Sequence, residues 1–367
     1  MSANPVLGVL LSWLGGVASA SFYVPFRKVR GWSWETYWLV AGVMSWIVAP
    51  WLVAALLTVH FFDVLHAVPA STLFWTYSFG VLWGVGGLTF GLTMRYLGMS
   101  LGMAVAMGNC AVFGTLVPPL FHGQFHQLLS QRSGIVTLAG VGVCALGILL
   151  AGAAGISKEN ELSSEEKKAS VSEFDLRLGL AVGIFAGVLS ACFAFGLDAG
   201  NPIKALSVAY GGNPVWQGLP VLVVLLAGGF TTNFIWCVAL NLRNRSYGEY
   251  VQVPLVAGKL ALTRNPAASA RKRPSLFWNY FFCTLAGTLW YMQFFLYTMG
   301  ESQMGRYKFS SWTLLMSSII IFSTLWGIVL KEWRGVSLRT KALVLLTLLT
   351  LVGSTVIVGY GNYLATQ

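Results

Sequence analysis

Long apolar runs, separated by short polar stretches, make up most of this chain. Each of ten such runs is close in length to the roughly 20 residues that a helix needs to cross a bilayer. The runs are continuous rather than alternating, which favours helices over the strands of a membrane barrel. The predicted spans are residues 6–24, 36–59, 73–94, 101–120, 135–154, 178–197, 214–240, 276–297, 310–330 and 342–360. The pattern therefore predicts an all-α membrane protein with ten transmembrane helices.

Composition supports this class. Hydrophobic residues make up 56% of the 367 residues and charged residues 10%, whereas a soluble domain carries about 25% charged residues. The mean hydropathy of +0.71 agrees. So few charges cannot cover a surface that faces water on all sides.

Two short phrases occur twice along the chain. GVASASF at 16–22 in the first span returns as GVLSACF at 187–193 in the sixth, with five of seven positions identical. LFWTY at 73–77 in the third span returns as LFWNY at 276–280 in the eighth, with four of five identical. Chance similarity between apolar helices is the alternative, but both echoes fall in corresponding spans.

The echoes predict two copies of one unit of five spans. Because five is odd, the second copy enters the membrane from the opposite side. This five-plus-five inverted-topology repeat is a recurring architecture of secondary transporters. We expect a first repeat at 1–155, a cytoplasmic linker at 156–175 and a second repeat at 176–367.

The net charge of +11 does not indicate a nucleic-acid partner, because the charges follow the membrane topology. Nineteen of the 23 Lys and Arg residues lie in the odd-numbered loops between spans, and four lie in the even-numbered loops. Positively charged loops stay in the cytoplasm. The odd loops are therefore predicted to be cytoplasmic and both termini periplasmic, in a bacterial inner membrane. The basic stretch 242–274 is expected to lie against anionic headgroups.

Enzyme and metal-site motifs are missing from the sequence. It contains no H-E-x-x-H, P-loop or dinucleotide fingerprint. Gly98 to Gly102 matches G-x-S-x-G, but it lies between two spans and indicates close helix packing rather than a nucleophile elbow. The five cysteines fall inside spans and are interpreted as packing residues. We expect no enzyme activity, no metal and no prosthetic cofactor.

Uncharged polar side chains and aromatic rings within the spans are the candidates for a ligand site. Asn109 and Gln293 place amides where hydrocarbon is expected. Amides that hydrogen-bond hydroxyls and flat rings that pack on an apolar sugar face suit a neutral sugar. The aromatic substrate-binding candidates are Tyr23, Trp83, Trp290 and Trp312.

Several long strings identify a family. They are ASASFY at 18–23, continuing through Pro25 and Phe26 into WSWET at 32–36, LTMRYLGMS at 92–100, LWYMQFF at 289–295 and VLKEW at 329–333. They resemble the L-rhamnose–proton symporter family, of the drug/metabolite transporter superfamily, in the same order. The resemblance implies ten helices, the inverted repeat, and proton-driven uptake of L-rhamnose or an L-lyxose-like sugar. It implies sugar, proton and lipid as partners, with no obligatory protein partner.

Proton coupling needs a group that titrates, and the span centres hold no acid or histidine. Glu35, at the start of the second span, is the first candidate. The neighbouring Trp32 and Trp34 favour its neutral form and the helix N-terminus favours its charged form. Arg95, on the same side, is its expected partner in one state. Asp198 and Glu301, at span ends, are the alternates.

Three other functions compete with symport. A metabolite exporter of the same superfamily would share the fold. A membrane sensor or scaffold would need a folded region outside the membrane, which the loops do not provide. An intramembrane enzyme would need paired catalytic residues at helical spacing, which the spans lack.

Overall fold

Ten long helices account for most of the residues described in the computed structural model, which are 4–97, 99–161, 175–251, 255–256, 259–260 and 275–367. Each helix coincides with a predicted span. They are α1 (Pro5–Ser21), α2 (Trp34–Leu57), α3 (Ala70–Leu97), α4 (Met99–Phe121), α5 (Arg132–Asn160), α6 (Leu176–Ala199), α7 (Leu219–Asn244), α8 (Leu276–Gln303), α9 (Ser310–Val329) and α10 (Leu338–Leu364).

Eight membrane-crossing helices are indicated by length and apolar composition within the described residues. The two long helices outside this set are α3 and α8, each of 28 residues. Helices α3 and α8 contain the repeated phrases LFWTY and LFWNY. They therefore resemble each other both in this phrase and in being less apolar than the eight helices of that set. The chain is a helical multi-pass membrane protein.

Short elements connect the long helices. Capping side chains set several helix starts: Asn4 accepts from the Leu7 N–H at 3.2 Å, and Asp175 accepts from the Leu178 N–H at 3.0 Å. The short helices are Tyr23–Phe26, Phe61–Ala67, Phe125–Ser130 and Asn201–Ala209, with 3₁₀ turns at Pro214–Trp216, Ser246–Val251 and Gly305–Tyr307. Leu255–Val256 pairs antiparallel with Lys259–Leu260. Most of the predicted linker at 156–175, much of 242–274, and Gly98 lie outside the described residues.

The helices of the two predicted repeats pack against each other in matching pairs. Helix α1 packs on α8 and α9, and α6 packs on α3 and α4. Helix α2 contacts α8, and α7 contacts α3. Helices α5 and α10 pack along each other, and each also contacts its predecessor. Each of these contacts made by a helix of the first half has a counterpart made by the corresponding helix of the second half.

The first echoed phrase places a glycine at each of two close helix crossings. A Cβ on Gly16 would meet the Cβ of Ser318 on α9 at 2.5 Å. A Cβ on Gly187 would meet the Cβ of Asn109 on α4 at 2.5 Å and the Ala106 carbonyl oxygen at 2.6 Å. Only glycine allows these backbones to approach so closely.

The second echoed phrase leads to another matched pair of glycines. A Cβ on Gly84 in α3 would meet the Thr232 Cβ on α7 at 2.9 Å. A Cβ on Gly287 in α8 would meet the Met44 Cβ on α2 at 3.0 Å. Both glycines lie eleven residues beyond the start of their phrase. The two halves therefore use the same small residues at the same kind of crossing.

Contacts between loops define two faces of the molecule. On the odd face, where the odd-numbered loops lie, Asn279 Nδ2 donates to the Arg30 carbonyl at 2.8 Å. On the even face, His122 and Asp198 meet at 2.7 Å. These contacts place odd-numbered loops together at one end of the helices and even-numbered loops together at the other. The side of the membrane that each end faces stays a prediction.

Candidate functional site

A cavity of about 340 Å³ opens on the even face between α4, α6, α8 and α9. Its volume lies within the range of small-molecule sites, about 300–1,000 Å³. Tyr297 and Trp312 are its deepest aromatic residues, and both are buried. The charged groups along its walls are His122, Asp198, Glu301, Arg306 and Lys308.

Trp312 presents its ring to this cavity and is held by its own N–H. The Trp312 Nε1 donates to the Cys110 carbonyl at 3.1 Å. Its ring stacks on Phe193 with centroids 5.7 Å apart and meets Tyr297 edge-on at 5.7 Å. Because the indole N–H is already used inside the protein, the ring face is the part of Trp312 that can contact a ligand.

Below Trp312, aromatic rings close the path toward the odd face. Phe193 stacks on Phe294 at 4.4 Å, and Trp83 meets these rings edge-on at 5.0 and 5.6 Å. Contacts then continue through Trp290 and Trp46. We call this set the aromatic cluster: Phe22, Trp38, Trp46, Trp83, Phe193, Trp290, Phe294 and Trp312.

A small cavity at the odd side of the cluster is lined by side chains whose polar hydrogens have no partner among the described residues. Its volume of about 10 Å³ is room for one water. Ser45 Oγ, Trp46 Nε1 and Trp290 Nε1 are buried without a hydrogen-bond partner, and all three residues line the cavity. Each orphaned donor costs about 1–3 kcal/mol. One water there can accept from the two indole N–H groups and donate to Ser45 Oγ, so the cavity suits a single buried water.

The α2 backbone is irregular at this cavity. Residues Val43–Val48 form a π-helical turn that contains both Ser45 and Trp46. Such turns insert an extra residue and are frequent at functional sites. This turn aims Trp46 into the cluster, where its ring lies against Gly42.

The two predicted amides occupy different environments. Gln293 is 3% exposed, and its Nε2 has no hydrogen-bond partner. Asn109 Nδ2 donates to the Val105 carbonyl of its own helix at 2.8 Å, and its side chain packs on Gly187. Gln293 thus retains a donor for a ligand, whereas the Asn109 donor is satisfied within α4.

The predicted aromatic residues are distributed between the even face and the odd face. Trp312 faces the even cavity, and Trp83 and Trp290 belong to the cluster below it. Tyr23 is 53% exposed and lines a cavity of about 390 Å³ on the odd face, with Arg27 and Trp326. The structure does not gather these four aromatic residues around one cavity.

Hydrogen bonds on the odd face join the start of α2 to the end of α7 and to the 3₁₀ turn Ser246–Val251. Glu35 is 4% exposed and accepts from Asn244 Nδ2 at 3.0 Å and Ser246 Oγ at 2.8 Å. Ser33, at the start of α2, donates its N–H and hydroxyl to Glu249 at 2.7 and 2.8 Å. We call these contacts the odd-face latch. Arg95 is not among the hydrogen-bond partners described for Glu35, so their pairing stays a prediction for another state.

Burial around the latch also affects Tyr250. Its hydroxyl accepts from Asn241 Nδ2 at 3.2 Å. Removal from water raises the pKa of Tyr250 to about 12. The phenol therefore stays neutral at physiological pH and adds no charge to the latch.

Both acids at the even cavity have basic partners. His122 Nε2 lies 2.7 Å from Asp198 Oδ2, and Asn201 Nδ2 donates to Asp198 Oδ1 at 2.9 Å. Lys204 Nζ donates to both oxygens of Glu301 at 2.8 and 3.0 Å. Neither base, His122 nor Lys204, is among the site residues predicted from the sequence. Lys204 could have been singled out from the sequence, because only four of the 23 Lys and Arg residues lie in the even-numbered loops. A base in such a loop is unusual and points to a specific partner.

The long apolar helices, and the cavities on the two faces with the aromatic cluster between them, together indicate a membrane transporter. Comparison with known sequences identifies which kind. The sequence model for the L-rhamnose-proton symport protein family matches residues 1–364, so the chain belongs to that family. Membership in a symporter family makes it a transporter and not an enzyme.

Individual relatives match along nearly their whole length. The chain is similar to an L-rhamnose-proton symporter from Cronobacter sakazakii, with 35% identity over 98% of this chain and 99% of the relative. It is similar to L-rhamnose-proton symporters from Yersinia pestis and Yersinia pseudotuberculosis, with 33% identity over 97% of this chain and 98% of each relative.

Proposed function

We propose that this protein imports L-rhamnose, or a closely related deoxysugar such as an L-lyxose-like sugar, together with protons. The observation that carries this proposal is the family match over residues 1–364. The even cavity supports it, because its volume suits a monosaccharide and it ends on the rings of Trp312 and Tyr297. The protein itself supplies hydrogen bonds and apolar surfaces, and the proton is the coupling ion.

The matched packing of the two halves supports an inverted five-plus-five repeat with alternating access. We propose residues 1–155 and 176–367 as the repeats, in the drug/metabolite transporter superfamily. The glycine contacts at Gly16 and Gly187 are related by the offset that relates the GVASASF and GVLSACF phrases. An inverted pair of units gives two states of similar packing that open to opposite sides.

The even face is proposed to be periplasmic, from the charge distribution of the loops. Cavities of about 340 and 390 Å³ then lie on the periplasmic and cytoplasmic faces, with the aromatic cluster between them. The latch at Glu35 and Ser33 holds the start of α2 to the segment after α7 on the cytoplasmic face. Both termini are then periplasmic in a bacterial inner membrane.

Sugar binding is proposed at the junction of the even cavity and the aromatic cluster. The Trp312 face packs on the apolar side of the sugar, while Trp290, Trp83 and Gln293 lie deeper along the path. The unpartnered hydrogens of Gln293 and Trp290 are available to sugar oxygens. Asn109 acts after a rearrangement that frees its amide from Val105, and Tyr23 contacts the sugar on the cytoplasmic side.

Each of the two acids at the even cavity has a basic partner within 3.0 Å, which is His122 for Asp198 and Lys204 for Glu301. Proton coupling then requires one of the acids to exchange its partner for a proton. Glu35, Asp198 and Glu301 are the three candidates, of which the last two line the cavity.

Counterflow in liposomes that contain the purified protein tests the substrate. Liposomes preloaded with unlabelled L-rhamnose should take up labelled L-rhamnose, and external L-lyxose should compete more strongly than D-glucose. Protein-free liposomes are the control. Exchange of charged metabolites but not of deoxysugars would favour the exporter instead.

A further inference from the structure

The Lys204–Glu301 ion pair stands out because it is buried and yet lies beside water. The two side chains are 6% and 13% exposed. Lys204 lies on the short helix Asn201–Ala209, and Glu301 lies near the end of α8. Glu301 lines the even cavity, whereas Lys204 does not. A proton that arrives from the even face therefore reaches the carboxylate without passing the lysine.

Stability alone does not explain this pair. Removing two charges from water costs several kcal/mol per ion, and an apolar pair of similar volume is often as stable. Ionisable residues inside membrane proteins are expensive and commonly functional. The pair also joins two separate elements, so any change at Glu301 alters how the Asn201–Ala209 helix is held against α8.

We propose that Glu301 binds the coupling proton and that Lys204 is the internal cation that competes with the proton for the carboxylate. This inference rests on the proposed symport. Protonation forms an O–H bond on Glu301 and breaks the ion pair, while the Lys204 ammonium keeps its own proton. Lys204 then lies buried as an uncompensated charge, which drives the Asn201–Ala209 helix away from α8. Lys204 is thus a positioning residue that converts proton binding into movement.

The other charged groups near Glu301 are separately accounted for. Asp198 on α6 is bonded to His122 on α4. Arg306 donates to Gln131 at 3.1 Å, and Lys308 is exposed at the cavity mouth. Tyr297, one turn before Glu301 on α8, accepts from Ser311 at 3.2 Å. Among these groups the acid besides Glu301 is Asp198, so Asp198→Asn tests the alternative proton carrier.

The test is the affinity for L-rhamnose as a function of pH, measured by tryptophan fluorescence of the purified protein. Sugar and proton must help each other bind, so the wild-type affinity should rise by about tenfold or more as pH falls. Glu301→Gln should bind sugar with an affinity that no longer depends on pH. Lys204→Met should keep the dependence but move its midpoint to higher pH, because a buried carboxyl without a cation holds its proton more readily. Asp198→Asn tests the alternative carrier and should keep a pH-dependent affinity. Asp63→Asn, at an exposed acid outside this cavity, is the control and should match the wild type.

Three outcomes separate the possibilities. If Glu301→Gln keeps the wild-type pH dependence, the inference is wrong, and loss of that dependence in Asp198→Asn would instead place the proton at the His122–Asp198 pair. If the wild type binds no L-rhamnose at any pH, the proposed function fails. Lys204→Met leaves a buried carboxylate unpaired and is at risk of misfolding, so the neutral double variant Lys204→Met with Glu301→Gln is tested beside it. That double variant should fold and should bind sugar independently of pH.

Discussion

At the scale of single residues, the sequence identified side-chain types but not what each one bonds. Gln293 and Asn109 are both amides in apolar spans, yet one has a free donor and the other bonds its own helix. The difference depends on neighbouring helices that periodicity does not reveal. The repeated phrases LFWTY and LFWNY show the same limit of sequence reasoning. They differ at one position, where α3 has Thr76 and α8 has Asn279. Asn279 hydrogen-bonds the backbone of Arg30, whereas the Thr76 hydroxyl has no partner among the described residues.

Gln293→Leu tests whether the orphaned amide serves the sugar. Replacing an unpartnered buried donor by an apolar group removes a cost of about 1–3 kcal/mol, so the melting temperature should rise. The affinity for L-rhamnose should fall by about tenfold, because a hydrogen bond to the sugar is lost. Thermal unfolding and sugar titration of the same variant give both values. A rise in stability with unchanged affinity would show that Gln293 only packs α8 against α1.

Trp312→Ala tests the floor of the even cavity. Loss of the ring removes both the packing surface for the sugar and the stack on Phe193, so affinity should fall by about tenfold or more. Trp278→Ala, on an exposed ring at the lipid side of α8, is the matched control and should bind normally. Equal affinities in the two variants would move the sugar site away from Trp312.

At the scale of elements, the ten helices were predictable, because continuous apolar runs of the right length have few alternatives in a bilayer. The π-helical turn Val43–Val48 was not, since its sequence VMSWIV reads as ordinary apolar helix. The helix Asn201–Ala209 was taken for loop, because it is too short to span and its polar residues resemble a connection. Its burial of Lys204 depends on contact with α8, far away in the sequence.

The glycine crossings give a prediction for α6. Gly187→Ala places a methyl 2.6 Å from the Ala106 carbonyl oxygen, so α4 and α6 must separate. We expect a loss of about 1–3 kcal/mol in stability, as for other overpacked sites. Gly353→Ala, where no atom lies within 4 Å of the added Cβ, is the control and should be neutral or more stable. Equal melting temperatures would contradict the tight crossing.

The odd-face latch gives a second element-scale prediction. Glu249→Ala removes the acceptor for the Ser33 N–H and hydroxyl, so the state open at the odd face should become more populated. A cysteine placed at Ala41, which is buried six residues beyond Glu35 on α2 and lines the small cavity, should then react faster with a membrane-permeant maleimide. The same cysteine in the wild-type background is the control. An unchanged rate would mean that Glu249 does not hold the face closed.

At the scale of the whole molecule, the repeated phrases were informative for a physical reason. Phe22 and Phe193 end the two phrases, and both rings belong to the aromatic cluster between the cavities. Gly16 and Gly187, six residues earlier, bring the same helices close to their partners. The sequence could predict that two units exist, but not which face is open, because the two states bury similar residues and differ in a few polar contacts.

Topology provides a direct test at this scale. The charge bias predicts that the C-terminus after Gln367 lies in the periplasm. A cysteine-containing tag placed there should react with a membrane-impermeant reagent in intact cells. A tag inserted in the 156–175 linker should react only after the cells are permeabilised. A protected C-terminus would contradict both the orientation and the inverted repeat.

The most direct test of proton-coupled sugar import is sugar-induced proton movement. Purified protein is reconstituted into liposomes that enclose a pH-sensitive dye, with no initial pH gradient, and L-rhamnose is added outside. The account predicts that the lumen acidifies as sugar enters, that L-rhamnose causes a larger change than D-glucose, and that protein-free liposomes show none. Uptake of labelled L-rhamnose through the protein with no change in internal pH would contradict the account.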